Sequence, residues 1–167
     1  MELPPAAELY QKFEAAVRER LRADGVDRPL VVGIHTGGAW LAKRLHRALD
    51  VPEPLGTLDI SFYRDDFSTG SLHPQVRPSS LSGDIDGRTV LLVDDVLYSG
   101  RTVRAAMNEL FDYGRPERVI LAVLVDRGGR ELPIAADICG LRLELPPGQH
   151  VKLRGPDPLQ LELGAAC

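Results

Sequence analysis

Apolar residues recur along this chain with two distinct spacings. Leu9, Phe13, Ala16, Val17 and Leu21 fall three and four apart, so residues 5–23 read as an amphipathic helix. Residues 29–34 read as a strand, and the helix after it carries Leu41, Ala42, Leu45 and Leu49 on one face. Leu58, Ile60 and Phe62 alternate, which suits a second strand. Val90, Leu91, Leu92 and Val93 run without a break between Gly87 and an acidic pair, the pattern of a strand buried on both faces of a parallel sheet. A helix using Val103, Ala106, Met107 and Leu110 follows, stopping at Gly114 with Pro116 just beyond. Residues 119–125 form another buried run. Leu141, Leu143 and Leu145 alternate, as do Leu159, Leu161 and Leu163, predicting short strands in a small terminal subdomain. Strands alternating with helices predict an α/β fold with a mainly parallel sheet.

One stretch breaks the pattern. From Arg64 to Asp86 there is no clear period, and residues 68–84 hold five serines, two glycines and two prolines. A loop this long in a compact domain is uncommon and usually functional. A closing lid over about 63–88 is the expectation, with a twisted β-ribbon as the alternative.

Bulk numbers narrow the class. At 167 residues the chain predicts one domain, and 44% hydrophobic with 26% charged residues is ordinary for a globular protein. A net charge of −4 excludes a surface that is basic all over, though not a local basic patch. Cys139 and Cys167 make no disulfide framework. The start of the chain has no signal-peptide pattern, and no apolar run spans a bilayer. A soluble cytoplasmic protein that does not enter membranes is the expectation.

The chemistry concentrates where the aliphatic tetrad ends. Asp94 and Asp95 follow it, then Val96, Leu97, Tyr98, Ser99, Gly100, Arg101 and Thr102 lead into the next helix. In open α/β sheets, ligands bind beyond the carboxyl ends of the strands. Paired carboxylates can accept hydrogen bonds from neighbouring ribose hydroxyls and help hold a divalent metal. Gly100 permits close backbone approach, and N–H groups at a helix start attract phosphate. Each part therefore suits one portion of a phosphorylated sugar. Neither G-x-x-x-x-G-K-[ST] nor G-x-G-x-x-G is present. The four histidines show no ligand spacing.

This stretch resembles the 5-phosphoribosyl-1-pyrophosphate (PRPP) signature of type I phosphoribosyltransferases. In that superfamily, the loop corresponding to His35-Thr36-Gly37-Gly38 holds pyrophosphate, often with a non-proline cis peptide. Four segments sharpen the likeness to the PyrR family, the pyrimidine-operon attenuation regulators and uracil phosphoribosyltransferases. They are residues 32–36 with 41–45, Asp59-Ile60 with residues 63–66, residues 93–103 with Gly114-Arg115-Pro116, and residues 122–128 with Arg130-Glu131-Leu132-Pro133. Leu97-Tyr98 and the Arg-Glu-Leu-Pro run are the marks of that branch.

The resemblance implies a type I phosphoribosyltransferase fold with a flexible lid and a small hood of about residues 132–167. It implies uracil plus PRPP giving UMP plus pyrophosphate, with Mg²⁺. Asp94, Asp95, Arg64 and Arg127 are the implied catalytic residues. Thr36, Gly37, Arg130 and residues 94–102 would bind the nucleotide, Val151 would flank the base, and Asp126 would face Mg²⁺. A homodimer or higher oligomer and an RNA partner are also implied. The chain departs from the family at three points: Gly37 stands where Arg is common, and Gly129 and Ala135 where RNA-binding members usually have His and Arg. The N-terminal helix mixes Lys12, Arg18, Arg20 and Arg22 with Glu8, Glu14 and Glu19. Gly37 weakens the expected hold on pyrophosphate, whereas Gly129, Ala135 and the mixed-charge helix favour catalysis over RNA regulation.

Overall fold

A computed structural model describes residues 1–60, 79–81 and 83–165. Phe62, Tyr63, Arg64, Asp65, Asp66 and most of the expected lid lie outside the described residues.

The elements follow in the order α1 (Ala6–Ala23), β1 (Leu30–Ile34), α2 (Gly37–Leu49), β2 (Gly56–Leu58), β3 (Thr89–Leu97), α3 (Arg101–Tyr113), β4 (Arg118–Asp126), β5 (Ile138–Arg142), β6 (Gln149–Arg154) and β7 (Gln160–Ala165). The first five strands form one parallel sheet in the order β2-β1-β3-β4-β5, and β6 and β7 pair antiparallel as a separate ribbon.

Alternation along the strands divides the core. Val31, Leu91, Val93, Ile120, Ala122 and Leu124 pack with α1 and α2 on one face. Leu30, Val32, Leu92, Leu121 and Val123 pack with α3 on the other. Both faces are covered, which is why the strands read as continuous apolar runs rather than alternating ones. From β1 the chain moves outward to β2, and from β3 it moves the opposite way to β4 and β5. The direction reverses between β1 and β3, so the topological switch point lies at their carboxyl ends.

Two expectations change. Leu141 belongs to β5, a parallel edge strand of the main sheet (Val125 pairs with Leu141), not to a terminal subdomain. An edge strand covered on one face alternates just as a hood strand does. The Leu159–Leu163 alternation does fall largely in β7, with Leu159 just before it. The second change concerns β3, which runs through the acidic pair to Leu97. Its pairing with β1 stops at Val93, whereas its pairing with β4 continues to Leu97 and Asp126. The acids therefore sit where one neighbour has left and the other still holds the backbone straight.

Past the undescribed stretch, Thr57 and Ser80 exchange two antiparallel backbone bonds of 2.8 Å each. The Ser79 hydroxyl donates to Glu109 on α3. No helix among the described residues is long and apolar enough to cross a membrane.

Candidate active site at the carboxyl end of the sheet

A cavity of about 460 Å³ opens beyond β3, lined by Asp94 to Val103, Arg127, Glu131 and Val151. Asp94 is buried at 3% exposure, and its Oδ1 accepts the Asp95 N–H at 2.9 Å. Asp95 Oδ1 accepts the Val96 N–H, also at 2.9 Å. These local bonds hold both carboxylates against the backbone. Asp95 forms no ion pair among the described residues, so its charge remains available to a ligand.

The loop after β1 backs onto this pair. The His35–Thr36 peptide is cis, and Thr36 precedes α2 without capping it through its side chain. Gly37 abuts Asp95: a Cβ there would lie 2.7 Å from the carboxyl carbon. The glycine is therefore required by close approach, and an arginine at this position would collide with the acid as it now stands. Gly37 packs against Asp95, and neither Thr36 nor Gly37 is among the residues lining the cavity.

Beyond Leu97 the chain turns through Tyr98, Ser99 and Gly100, the last with φ of 93°. An alanine here would be strained in this backbone region and would also meet Ile134 at 3.0 Å. Ser99 Oγ accepts the Arg101 N–H at 3.2 Å, leaving its own proton to donate. Neither α2 nor α3 has an acidic residue in its first turn. The start of α3 thus keeps the positive end of its dipole suited to an anion, whereas the start of α2 already faces the Asp95 carboxylate across Gly37.

Segment 126–134 closes the other side. The Arg127 N–H donates to Leu97 O at 3.0 Å, and the Glu131 and Leu132 N–H groups donate to Ser99 O at 2.9 and 3.0 Å. Here the geometry differs from the sequence expectation. Arg130 does not face the cavity: its guanidinium bonds Asp126 Oδ2 at 2.5 Å, Tyr98 O at 2.7 Å and Ile134 O at 2.9 Å. It fastens one loop to the other. Asp126 is taken by that pairing and by the Gly128 N–H at 3.0 Å. Burial pushes the Asp126 carboxyl up, but the bonds from Arg130 and Gly128 outweigh it and hold the group below its usual value.

Arg127 behaves oppositely. Its guanidinium carbon lies 3.9 Å from the Tyr98 ring centroid, and no carboxylate pairs with it among the described residues. Its Nε is buried without a hydrogen-bond partner. Glu131 and Val103 line the cavity although the sequence reading did not assign them to it. Glu131 accepts from Arg101 Nε at 2.9 Å, a pairing whose only sequence signal is opposite charge.

Among the described residues no three carboxylates, histidines or thiols converge as a metal cage. A Mg²⁺ ion would fit as this ion commonly does, held mostly by phosphate oxygens and water, with a carboxylate such as Asp95 beside it.

Taken together, the pocket offers carboxylates for vicinal hydroxyls, the start of α3 for phosphate and, among the described residues, the Arg127 guanidinium without a carboxylate partner. Comparison with known proteins points the same way. Residues 3–150 match the phosphoribosyl transferase domain family. The chain is 57% identical over 162 residues to the bifunctional protein PyrR of Pseudomonas paraeruginosa, covering 97% of this chain and 95% of that protein. It is 53% identical over 157 residues to the bifunctional protein PyrR of Nitrosococcus oceani, covering 93% and 89%. Among solved structures, a hypoxanthine-guanine phosphoribosyltransferase of Bacillus anthracis superposes with a TM-score of 0.67 at 18% identity, covering 89% of this chain and 85% of that one. At that identity the likeness concerns the fold alone.

Proposed function

The chain belongs to the PyrR family within the phosphoribosyltransferase fold, and from that premise we propose that it transfers a phosphoribosyl group from PRPP to uracil, giving UMP and pyrophosphate with Mg²⁺. The observation that carries this reading is the single cavity in which Asp94, Asp95, the Tyr98–Thr102 turn, the start of α3, Arg127 and Val151 meet.

In the proposed reaction the bond from ribose C1′ to the diphosphate breaks as a bond from uracil N1 forms, C1′ becomes cationic in between, and the N1 proton leaves to the departing diphosphate or to solvent. The helix start and the Ser99 and Thr102 hydroxyls fix the 5′-phosphate, so that the sugar is anchored while C1′ moves. Asp94 and Asp95 hold the ribose hydroxyls and place negative charge near the cationic carbon. Arg127 donates to oxygens of the departing diphosphate, where a Mg²⁺ ion held beside Asp95 would supply further charge neutralisation. Arg64 is proposed to join it from the lid, and Val151 to flank the base. Arg130 and Asp126 support this arrangement by holding the Tyr98 backbone in place.

The test is direct: mix the full chain with PRPP, Mg²⁺ and each nucleobase and follow nucleotide formation. Uracil should be the preferred acceptor. Preference for a purine would move the specificity, and no turnover with any base would remove the reaction altogether.

A second reading, carried by the PyrR resemblance, is binding of a pyrimidine-operon leader RNA tuned by UMP or PRPP; the relatives' names say only that those proteins are bifunctional. The geometry of α1 favours the enzymatic reading over this one. Arg18, Arg20 and Arg22 each meet a carboxylate, from Glu14, Asp24 and Glu19. Phosphate-backbone binding needs unopposed cations. A gel shift with leader RNA, with and without UMP, separates the two.

A further inference from the structure

Among the described residues, Arg127 is the cation lining the cavity that no carboxylate meets, and an aromatic ring holds it in place. An arginine on a loop loses rotamer freedom when it is fixed, and among the described residues no hydrogen bond fixes the side chain of this half-buried one. Its guanidinium instead lies over the Tyr98 ring at 3.9 Å. Stacking uses the face of the guanidinium and leaves its in-plane donors unused. One of them, Nε, is buried without a partner. A buried unsatisfied donor is costly, and a ligand oxygen entering the cavity would remove that cost.

The ring in turn has a place only because of residue 129. Gly129 has φ of 79°, and a Cβ there would lie 2.9 Å from Tyr98 Cδ2 and closer still to Cε2. Any side chain at 129 must push the ring away. Because Arg130 Nη1 fixes the Tyr98 carbonyl at 2.7 Å, the backbone cannot follow and only the ring can swing. The absence of a side chain at 129 and the stack at 98 and 127 therefore form one unit.

We propose that Tyr98 and Gly129 are positioning residues for Arg127: the ring presents the guanidinium to phosphate oxygens in the cavity, and the bare Cα at 129 gives the ring room to do so. This rests on the phosphoribosyltransferase reading only for the identity of the ligand. The hold on Arg127 is a property of the protein without ligand.

The experiment has two arms on the full chain. In the first, the Arg127 Nε–H resonance is followed by ¹H–¹⁵N NMR in the parent, Tyr98→Phe, Tyr98→Leu and Gly129→Ala proteins. Parent and Tyr98→Phe should give a ring-current-shifted, slowly exchanging signal, since phenylalanine keeps the aromatic face. Tyr98→Leu and Gly129→Ala should lose both features while circular dichroism remains native. In the second arm, PRPP kinetics are measured with uracil. Tyr98→Leu should raise the KM for PRPP about tenfold with a smaller change in kcat, from the usual size of such stacks. Tyr98→Phe should lie closer to the parent. An Arg127 signal unmoved in both Tyr98→Leu and Gly129→Ala overturns the hold, as does an unchanged KM in Tyr98→Leu. If the parent neither binds nor turns over PRPP, the assigned ligand falls, while the resonance still decides whether the ring fixes the guanidinium.

Discussion

The two ends of the parallel sheet both carry arginines around an open cavity, yet they are built for different tasks. At the amino end of the strands, a cavity of about 560 Å³ is bordered by Arg28, Arg88 and Arg118. Every one of them meets a carboxylate: Arg28 and Arg88 share Glu53 at 2.7 and 3.0 Å, and Arg118 reaches Asp24 at 2.6 Å. At the carboxyl end, around a cavity of about 460 Å³, Arg127 has no carboxylate partner and Asp95 forms no ion pair among the described residues. Cavity size does not separate the two ends. Charge accounting favours the carboxyl end, because a structural cluster neutralises itself and a binding site leaves charges for its ligand.

The largest effect should come from breaking the carboxyl end. Asp95→Asn keeps the shape and removes the charge facing the ribose, and should lower kcat/KM for PRPP about a hundredfold or more, as for loss of one preorganised electrostatic group. A rate near the parent's would mean that the acids do not face the sugar. Arg127→Gln comes next. Loss of charge-assisted bonds to the diphosphate should cost about tenfold to a hundredfold in kcat/KM; an undisturbed value would place the diphosphate elsewhere.

Much of the carboxyl end is legible in sequence, because the motif packs its signals into neighbouring positions. Four aliphatics, two acids and a Gly-bearing turn specify strand, ligand and helix start within 13 residues, 90–102. What is not legible depends on contacts across the chain. Arg127 and Arg130 look alike in sequence, three apart in a glycine-rich loop. Only the fold shows that one is locked onto Asp126 and two carbonyls while the other rests on a ring. The position of β5 escaped for a similar reason. Alternation reports that one face is buried, not which sheet buries it. Arg64 and the rest of the expected lid lie outside the described residues, and their role remains a proposal.

Smaller effects sharpen the contrast through stability. Gly100→Ala should destabilise the protein by about 1–2 kcal/mol, the usual cost of a side chain in a left-handed conformation. Denaturant unfolding measures it, and a neutral result would mean that the turn relaxes around Ile134. The Asp126–Arg130 pair gives a pH signature. Because the folded carboxyl is held below its unfolded value, the pair contributes stability above the unfolded value of about 4 and loses it as pH falls through the lower folded value. In Arg130→Gln the melting temperature should lie below the parent's near neutral pH and converge with it in acid; curves superimposable at every pH would show that the pair adds nothing. Least of all should kinetics respond to Glu53→Gln, at the amino end. Its melting temperature should fall, since two arginines lose their partner, while KM and kcat stay at parental values. A kinetic defect there would undo the distinction between the two ends.

The most direct test is a crystal of the full chain with UMP. The account predicts phosphate against the Tyr98–Thr102 turn, ribose hydroxyls on Asp94 and Asp95, and the base beside Val151. A nucleotide seated among Arg28, Arg88 and Arg118, or anywhere that leaves both acids unoccupied, would contradict it.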